Sequence, residues 1–241
     1  MERRKKMMRI LNRFVAGAAL CGFGLLASVA AASPVMPQNT VEYRVLTRSQ
    51  PAESGKKVEV IEFFGYFCPH CNALEPLIAE WVKKQGDNIV FKRVPVRLVP
   101  QQKLYYSLEA MGKLDEYNVK AFNAYHIDHN RLATDVDVMN FVSKSGLDKQ
   151  KFSEIYNSFT IQSRLARTGQ MVEAYGINDV PTITIDGRYV TSPVQSVVTM
   201  GRVSEDTQNH AVLQVMDFLI AKVQKERGAG AAPAAADGKK K

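Results

Sequence analysis

The chain has 241 residues, of which 46% are hydrophobic and 23% are charged, and its formal net charge at pH 7 is +8. Residues 1–32 hold six of the 32 lysines and arginines but only one of the 24 acidic residues. The other 209 residues therefore carry a net charge of only +3, which is too small and too evenly spread to favour nucleic-acid binding.

The first 32 residues have the pattern of a secretory signal peptide. A cationic start, MERRKKMMR, precedes an apolar run of 16 residues (14–29), and three alanines then supply the small residues that precede cleavage. This run is short for a membrane span, which needs roughly 20 apolar residues, but an uncleaved anchor is the alternative. We expect cleavage after Ala32 and export to an oxidising compartment.

Strand and helix patterns alternate in the next part of the chain. Residues 41–47 alternate enough to predict a first strand. Residues 57–64 (KVEVIEFF) predict a second, because they are rich in β-branched and aromatic residues. Residues 72–84 have apolar side chains at helical spacing, and residues 88–96 predict a third strand.

The spacing of the apolar residues then changes to that of helices, and residues 98–175 predict five of them. Strand patterns return at TITI (182–185) and Tyr189-Val190, separated by the turn dipeptide Asp186-Gly187, which predicts a hairpin. Residues 206–227 predict a last helix, and residues 228–241 are alanine-rich and predicted to be disordered. The order of elements predicts an α/β fold with one sheet and an inserted helical segment.

Two cysteines remain after the signal peptide, because Cys21 lies inside it. Cys68 and Cys71 flank Pro-His directly after the second strand. Haem attachment requires a histidine after the second cysteine, but Asn72 stands there. Zinc requires about four ligands, and nothing in the sequence brings the pair near the remaining histidines, His126, His129 and His210. A purely structural disulfide stays open, although so short a loop constrains the unfolded chain little.

A redox role fits the position of the pair best. A strand followed by a helix places Cys68 at the helix N-terminus, where unsatisfied N–H groups stabilise an anion by roughly 0.3–2 kcal/mol. Pro69 suits the first helical position, since its missing N–H is no loss there. Cys71 lies about one turn further on, within reach of a disulfide bond and more deeply buried.

These motifs resemble those of the DsbA family of thiol:disulfide interchange proteins. The sequence EFFGYF-CPHC, followed about 110 residues later by VPTITIDGRYV with a helical segment between them, carries the resemblance over residues 41–227. It implies a thioredoxin fold with an inserted all-helical domain. The expected divisions are 33–98 and 167–227 for the thioredoxin fold and 99–166 for the insertion.

The resemblance also implies roles for individual residues. Cys68 would exchange disulfides, Cys71 would resolve the mixed disulfide, and His70 would stabilise the Cys68 thiolate. Val180 and Pro181 match the family's cis-proline loop, which binds substrate peptides.

A buried acid completes the expected site. Glu62 lies in an apolar strand, where an unpaired carboxylate is costly. The resemblance makes it a proton-transfer group near Cys71, with Glu75 and Lys92 as companions, although a solvated strand end and helix face would also explain these two. The segment 193–206 departs from the family pattern.

The resemblance implies a periplasmic oxidase that acts on unfolded secreted proteins and is recharged by a quinone-linked membrane protein of the DsbB type. It implies no metal and no cofactor beyond the Cys68–Cys71 disulfide. The alternatives are a reductase or isomerase of the same fold, a peptide-binding chaperone and an exported metal carrier.

Overall fold

A computed structural model describes residues 36–52 and 55–230 of the chain. The predicted signal peptide, and the predicted tail beyond Gly230, lie outside these residues. None of the helices formed by residues 36–52 and 55–230 combines the length and the apolar character needed to cross a membrane.

Five strands form one mixed sheet in the order β1-β5-β4-β2-β3. The central strand β2 pairs in parallel with β3 and antiparallel with β4, and β5 joins β4 to β1. The strands are β1 (Arg44–Val45), β2 (Val58–Phe64), β3 (Ile89–Pro95), β4 (Thr182–Ile185) and β5 (Tyr189–Thr191). The first is shorter than predicted, because a turn at residues 40–42 precedes it.

Seven helices surround the sheet in the described residues. They are α1 (Pro69–Gln85), α2 (Val99–Ala110), α3 (Leu114–His126), α4 (Asp135–Ser145), α5 (Lys149–Tyr156), α6 (Phe159–Tyr175) and α7 (Glu205–Gly230). The five predicted helices between the third and fourth strands are therefore present as α2–α6. Helix α6 runs across the predicted boundary at residues 166/167, and α7 continues three residues into the segment predicted to be disordered.

The two faces of the sheet bury different cores because successive strand residues point to opposite sides. Val58 and Val60 pack with Leu74 and Ile78 of α1 and with the apolar face of α7. On the other side, Ile61 and Phe63 pack against α6. Phe64 at the end of β2 joins a third core formed mainly by α2–α6.

Short-range sequence signals explain where several elements begin and turn. Thr134 and Asp137 form a reciprocal capping box at the start of α4. Asp186 and Gly187 have φ values of 56° and 63°, the left-handed pair that a tight hairpin turn requires. The hairpin predicted from Asp-Gly is thus confirmed between β4 and β5.

Candidate active site

Cys68 caps the N-terminus of α1, as its position after β2 predicts. Its sulfur accepts a hydrogen bond from the backbone N–H of Cys71 at 3.2 Å, and Pro69 occupies the first turn. The helix thus directs its free N–H groups at one sulfur. Cys68 is 4% exposed and Cys71 is fully buried, so the expected order of exposure holds, although even Cys68 is largely covered.

The two sulfurs have very different proton affinities. A hydrogen bond from the Cys71 thiol lowers the pKa of Cys68 to about 7, and nearby backbone N–H groups and the charge of His70 act in the same direction against burial. Burial raises the pKa of Cys71, and its contact with Cys68 raises it further. In the structure both are free thiols. Cys68 is therefore the sulfur that ionises near neutral pH.

The Val180–Pro181 peptide bond is cis and lies beside the cysteine pair. The Cys68 thiol donates a hydrogen bond to the carbonyl oxygen of Val180 at 3.4 Å. Val180 and Pro181 are therefore brought together with Cys68, over 112 residues of sequence separation.

His70 is exposed and contacts the start of α7. Its Nδ1 lies 2.5 Å from Oε1 of Glu205. This hydrogen bond to Glu205 raises the pKa of His70, so that the ring stays protonated to higher pH than usual. Glu205 belongs to the segment that departs from the family pattern, and the sequence offered no signal that it would meet His70.

Glu62 and Glu75 form a buried ionic cluster, and the negative charge of Glu62 adds to the burial that raises the pKa of Cys71. Arg93 donates from Nε to Oε2 of Glu62 at 2.8 Å and from Nη2 to Oε2 of Glu75 at 2.7 Å. Burial raises the pKa of Glu62, and it raises the pKa of Glu75 to about 7, in both cases against the attraction of Arg93. Although burial opposes it, the two carboxylates raise the pKa of Arg93.

The structure places Arg93, and not the expected companion Lys92, in this cluster. Arg93 is the register partner of Glu62 on the parallel strand β3, so their side chains share a face of the sheet. Lys92 is the partner of Ile61 and points to the other face, where its Nζ lies 2.7 Å from Oε2 of Glu59. Counting strand parity from Glu62 would have identified Arg93.

The helical segment completes the site with two side chains that the sequence did not reveal. Asn118 of α3 donates to Oε1 of Glu75 at 2.9 Å and accepts from the hydroxyl of Tyr66 at 3.0 Å. Gln101 of α2 accepts from the backbone N–H of Phe67 at 3.1 Å. Both side chains are buried and polar, and Asn118 lies among aromatic and alanine positions of α3, which is the signal that could have marked it.

The histidines weighed as zinc ligands do not form a site with the cysteines. Within residues 36–52 and 55–230, no group of three or more His, Cys, Asp or Glu side chains is placed to hold a metal ion. His210 instead contacts the backbone carbonyl of Asp206 within α7.

A thioredoxin-type sheet with an activated Cys-x-x-Cys pair at the start of its first helix defines a thiol:disulfide oxidoreductase. A family model described as thioredoxin matches residues 53–203. The thiol:disulfide interchange protein DsbA of Burkholderia cepacia is 39% identical over 213 residues, covering 86% of this chain and 96% of that protein. The chain therefore belongs to the DsbA family.

Further similarities agree with this assignment. DsbA of Bordetella pertussis is 34% identical over 187 residues, which cover 76% of this chain and 87% of that protein. The crystal structure of Pseudomonas aeruginosa DsbA superposes with a TM-score of 0.70 at 32% identity, covering 80% of this chain and 96% of that one. The family and the thioredoxin fold with its helical insertion are thus as the CPHC and Val-Pro motifs indicated.

Proposed function

We propose that the protein works as an oxidase, donating its Cys68–Cys71 disulfide to newly exported proteins in the periplasm. The observation that carries the proposal is the asymmetry of the two sulfurs, since the pKa of Cys68 is lowered to about 7 while that of Cys71 is raised. A stabilised thiolate favours the reduced form and makes the disulfide a better oxidant. At pH 8 the lowered pKa favours reduction roughly tenfold, equivalent to ~30 mV.

The reaction proceeds in two exchanges. A substrate thiolate attacks Cys68 and breaks the bond between the two sulfurs; the electron pair leaves on Cys71, which takes up a proton. A second substrate thiolate then attacks the substrate sulfur of the mixed disulfide and releases the Cys68 thiolate. The substrate loses two electrons and the protein gains them.

Substrate chains would lie along the Val180–Pro181 segment. The carbonyl oxygen of Val180 is 3.4 Å from the Cys68 sulfur, so a peptide held against this backbone has its own sulfur close to Cys68. Unfolded chains suit such a site because an extended peptide can pair with free backbone groups. Pro69 and His70 border the same sulfur at the start of α1.

The decisive experiment is a redox titration of the mature protein, residues 33–241, against glutathione, together with oxidation of reduced, unfolded ribonuclease A. We expect a potential close to the ~−120 mV established for DsbA and stoichiometric disulfide transfer. A potential near the ~−270 mV of thioredoxin would instead favour the reductase or isomerase alternative. Cys68→Ser should abolish disulfide transfer. If this variant keeps the full activity of the protein towards unfolded chains, the peptide-binding chaperone is favoured instead.

A quinone-linked membrane protein of the DsbB type is the proposed oxidant that recharges the reduced protein. Reduced protein added to inner-membrane vesicles with ubiquinone should regain its disulfide, and vesicles depleted of quinone should not support this. Equal reoxidation in both would contradict the proposed partner.

The compartment can be tested directly. The chain isolated from a periplasmic extract should begin at Ser33, as expected from cleavage after Ala32. Intact residues 1–32 on a membrane-bound chain would instead favour the uncleaved anchor.

A further inference from the structure

The buried cluster behind Cys71 contains more negative than positive groups. Glu62 is 1% exposed and Glu75 is 7% exposed, and both contact a single cation, Arg93. A second carboxylate without its own counter-charge is strongly disfavoured in so buried a place. The two carboxylates therefore share one proton near neutral pH. Its position matters because Cys71 needs a proton whenever it leaves the disulfide, and Glu62 is the carboxylate whose charge acts on Cys71.

Hydrogen bonding distinguishes the two carboxylates. Glu75 accepts at both oxygens, from Asn118 at Oε1 and from Arg93 at Oε2. Among the contacts of the described residues, Glu62 accepts one hydrogen bond, from Arg93 at Oε2. Because each bond to a carboxylate favours its ionised form, Glu75 is the better anion and the shared proton belongs on Glu62.

Tyr66 fixes the direction in which the Asn118 amide points. The Tyr66 hydroxyl donates to Oδ1 of Asn118, so the amide nitrogen is turned towards Glu75. The opposite orientation would place an amide oxygen against a carboxylate oxygen. Both side chains are buried, and the pair has no other function in the reaction described above.

We infer that Asn118 is a positioning residue for thiol–disulfide exchange: by holding Glu75 as a carboxylate, it leaves the shared proton on Glu62, from which Cys71 takes it. The inference rests on the proposed function only in that Cys68 and Cys71 exchange disulfides, in either direction. When the bond between the two sulfurs breaks, the Cys71 sulfur takes the electron pair and the Glu62 proton. When the bond re-forms, the Cys71 proton returns to Glu62.

Other titratable groups around the cluster do not compete for this role. The titratable groups that face the two carboxylates are Cys71 of α1, Arg93 of β3, Tyr66 of the loop before α1 and Tyr105 of α2, whereas α3 and β4 contribute the non-titrating Asn118 and Ile183. Burial raises the pKa of both tyrosines, so neither gives up a proton near neutral pH. Glu62 and Glu75 are left as the exchangeable pair.

The test is the pH dependence of disulfide exchange with glutathione, measured in both directions for the full mature protein and for Asn118→Leu. Loss of the amide donor should move the proton to Glu75, slow the Cys71 step roughly tenfold at pH 7 and shift the pH midpoint of the rate. In a Glu62→Gln background the same substitution should have no further effect. Asn123→Ala, at an exposed position of the same helix, is the matched control.

Three results would overturn the inference: an unchanged pH profile in Asn118→Leu, an effect that persists in full with Glu62→Gln, or an equal effect in Asn123→Ala. If Asn118→Leu does not fold, Tyr66→Phe decides, because it removes only the hydroxyl that orients the amide. A profile for Tyr66→Phe identical to wild type then contradicts the inference. Because glutathione exchange is measured in both directions, a failure of the oxidase proposal alone would leave these outcomes readable.

Discussion

Nδ1 of His70 and Oε1 of Glu205 lie 2.5 Å apart and join the first turn of α1 to the first turn of α7. The pair links the residue next to Cys68 to a segment that departs from the family pattern. Both side chains are partly exposed, so solvent weakens their attraction. The main consequence of the pair is the protonation of His70, which in turn acts on the Cys68 thiolate.

Glu205→Gln should lower the pKa of His70, because the carboxylate that raises it is lost. His70 would then be neutral over more of the range above pH 7, and the Cys68 pKa should rise. Since exposed pairs contribute little, we expect the exchange rate at pH 7 to change by less than about fivefold. The His70 pKa is measured from its ring-proton NMR shifts, and the Cys68 pKa from thiolate absorbance.

Asp206→Asn is the control for this prediction, because Asp206 is the next residue and lies near His210 instead. An unchanged His70 pKa in Glu205→Gln would mean that the 2.5 Å contact does not persist in solution. A similar fall in both variants would point to the general field of the helix terminus.

The lowered pKa of Cys68 makes the stability of the reduced protein depend on pH. A thiol whose folded pKa is depressed from 9.0 to about 7 contributes stability that is full above its unfolded pKa and lost as pH falls through 7. The reduced protein should therefore gain up to about 2 kcal/mol relative to Cys68→Ser between pH 6.5 and 8.5. Urea unfolding of the two reduced proteins at several pH values measures this difference.

The difference between the two proteins reports the thiolate of Cys68 together with its contact to Cys71, because both proteins retain all the other titrating groups. Burial and the contact with Cys68 raise the pKa of Cys71, so its thiol stays protonated in the folded state and lowers stability only as pH approaches its unfolded value of 9.0, at the upper end of this range. A constant difference from pH 6.5 to 8.5 would show that neither the Cys71 thiol nor the helix N-terminus stabilises the Cys68 thiolate.

The sequence predicted the fold because its signals are local and strong. The apolar run of β2, the Asp186-Gly187 turn and the five amphipathic helices follow from periodicity and turn chemistry alone. The CPHC motif placed Cys68 at a helix start for the same reason.

The partners of the site residues were harder to predict because they depend on register and tertiary contact. Lys92 and Arg93 are both cations in β3, and only their parity relative to Glu62 decides which one joins the cluster. Asn118 is 43 residues from Glu75, and Glu205 is 135 residues from His70, so no local pattern relates them.

Arg93→Met should be strongly destabilising at neutral pH. The substitution leaves Glu62 and Glu75 buried without their cation, and breaking a buried pair costs about 3–5 kcal/mol. The cost should fall at acid pH, because both carboxylates can then be protonated. Urea unfolding at pH 5 and pH 7.5 tests the amount and its direction.

Lys57→Met is the matched control, since it removes a cation from an exposed pair with Asp87. Such exposed pairs contribute little to stability, because solvent screens their attraction. A loss for Arg93→Met no larger than that for Lys57→Met would contradict the assignment of Arg93 as the counter-charge of the cluster.

Gly187→Ala tests the hairpin that positions β5 against β1. Gly187 has a φ of 63°, and a Cβ placed on it would overlap the backbone carbonyl of Gln50, which cannot move as a side chain does. Gln50 also donates its backbone N–H to the Gly187 carbonyl at 2.8 Å, so the two segments are held together at this point.

Gly112→Ala is the control, because Gly112 has a φ of 65° but open space where its Cβ would lie. The control should lose about 1–2 kcal/mol from left-handed backbone strain alone, and Gly187→Ala should lose about 1–3 kcal/mol more from overpacking. Equal losses in urea unfolding would mean that the Gln50 segment yields without cost and that the contact does not fix the hairpin.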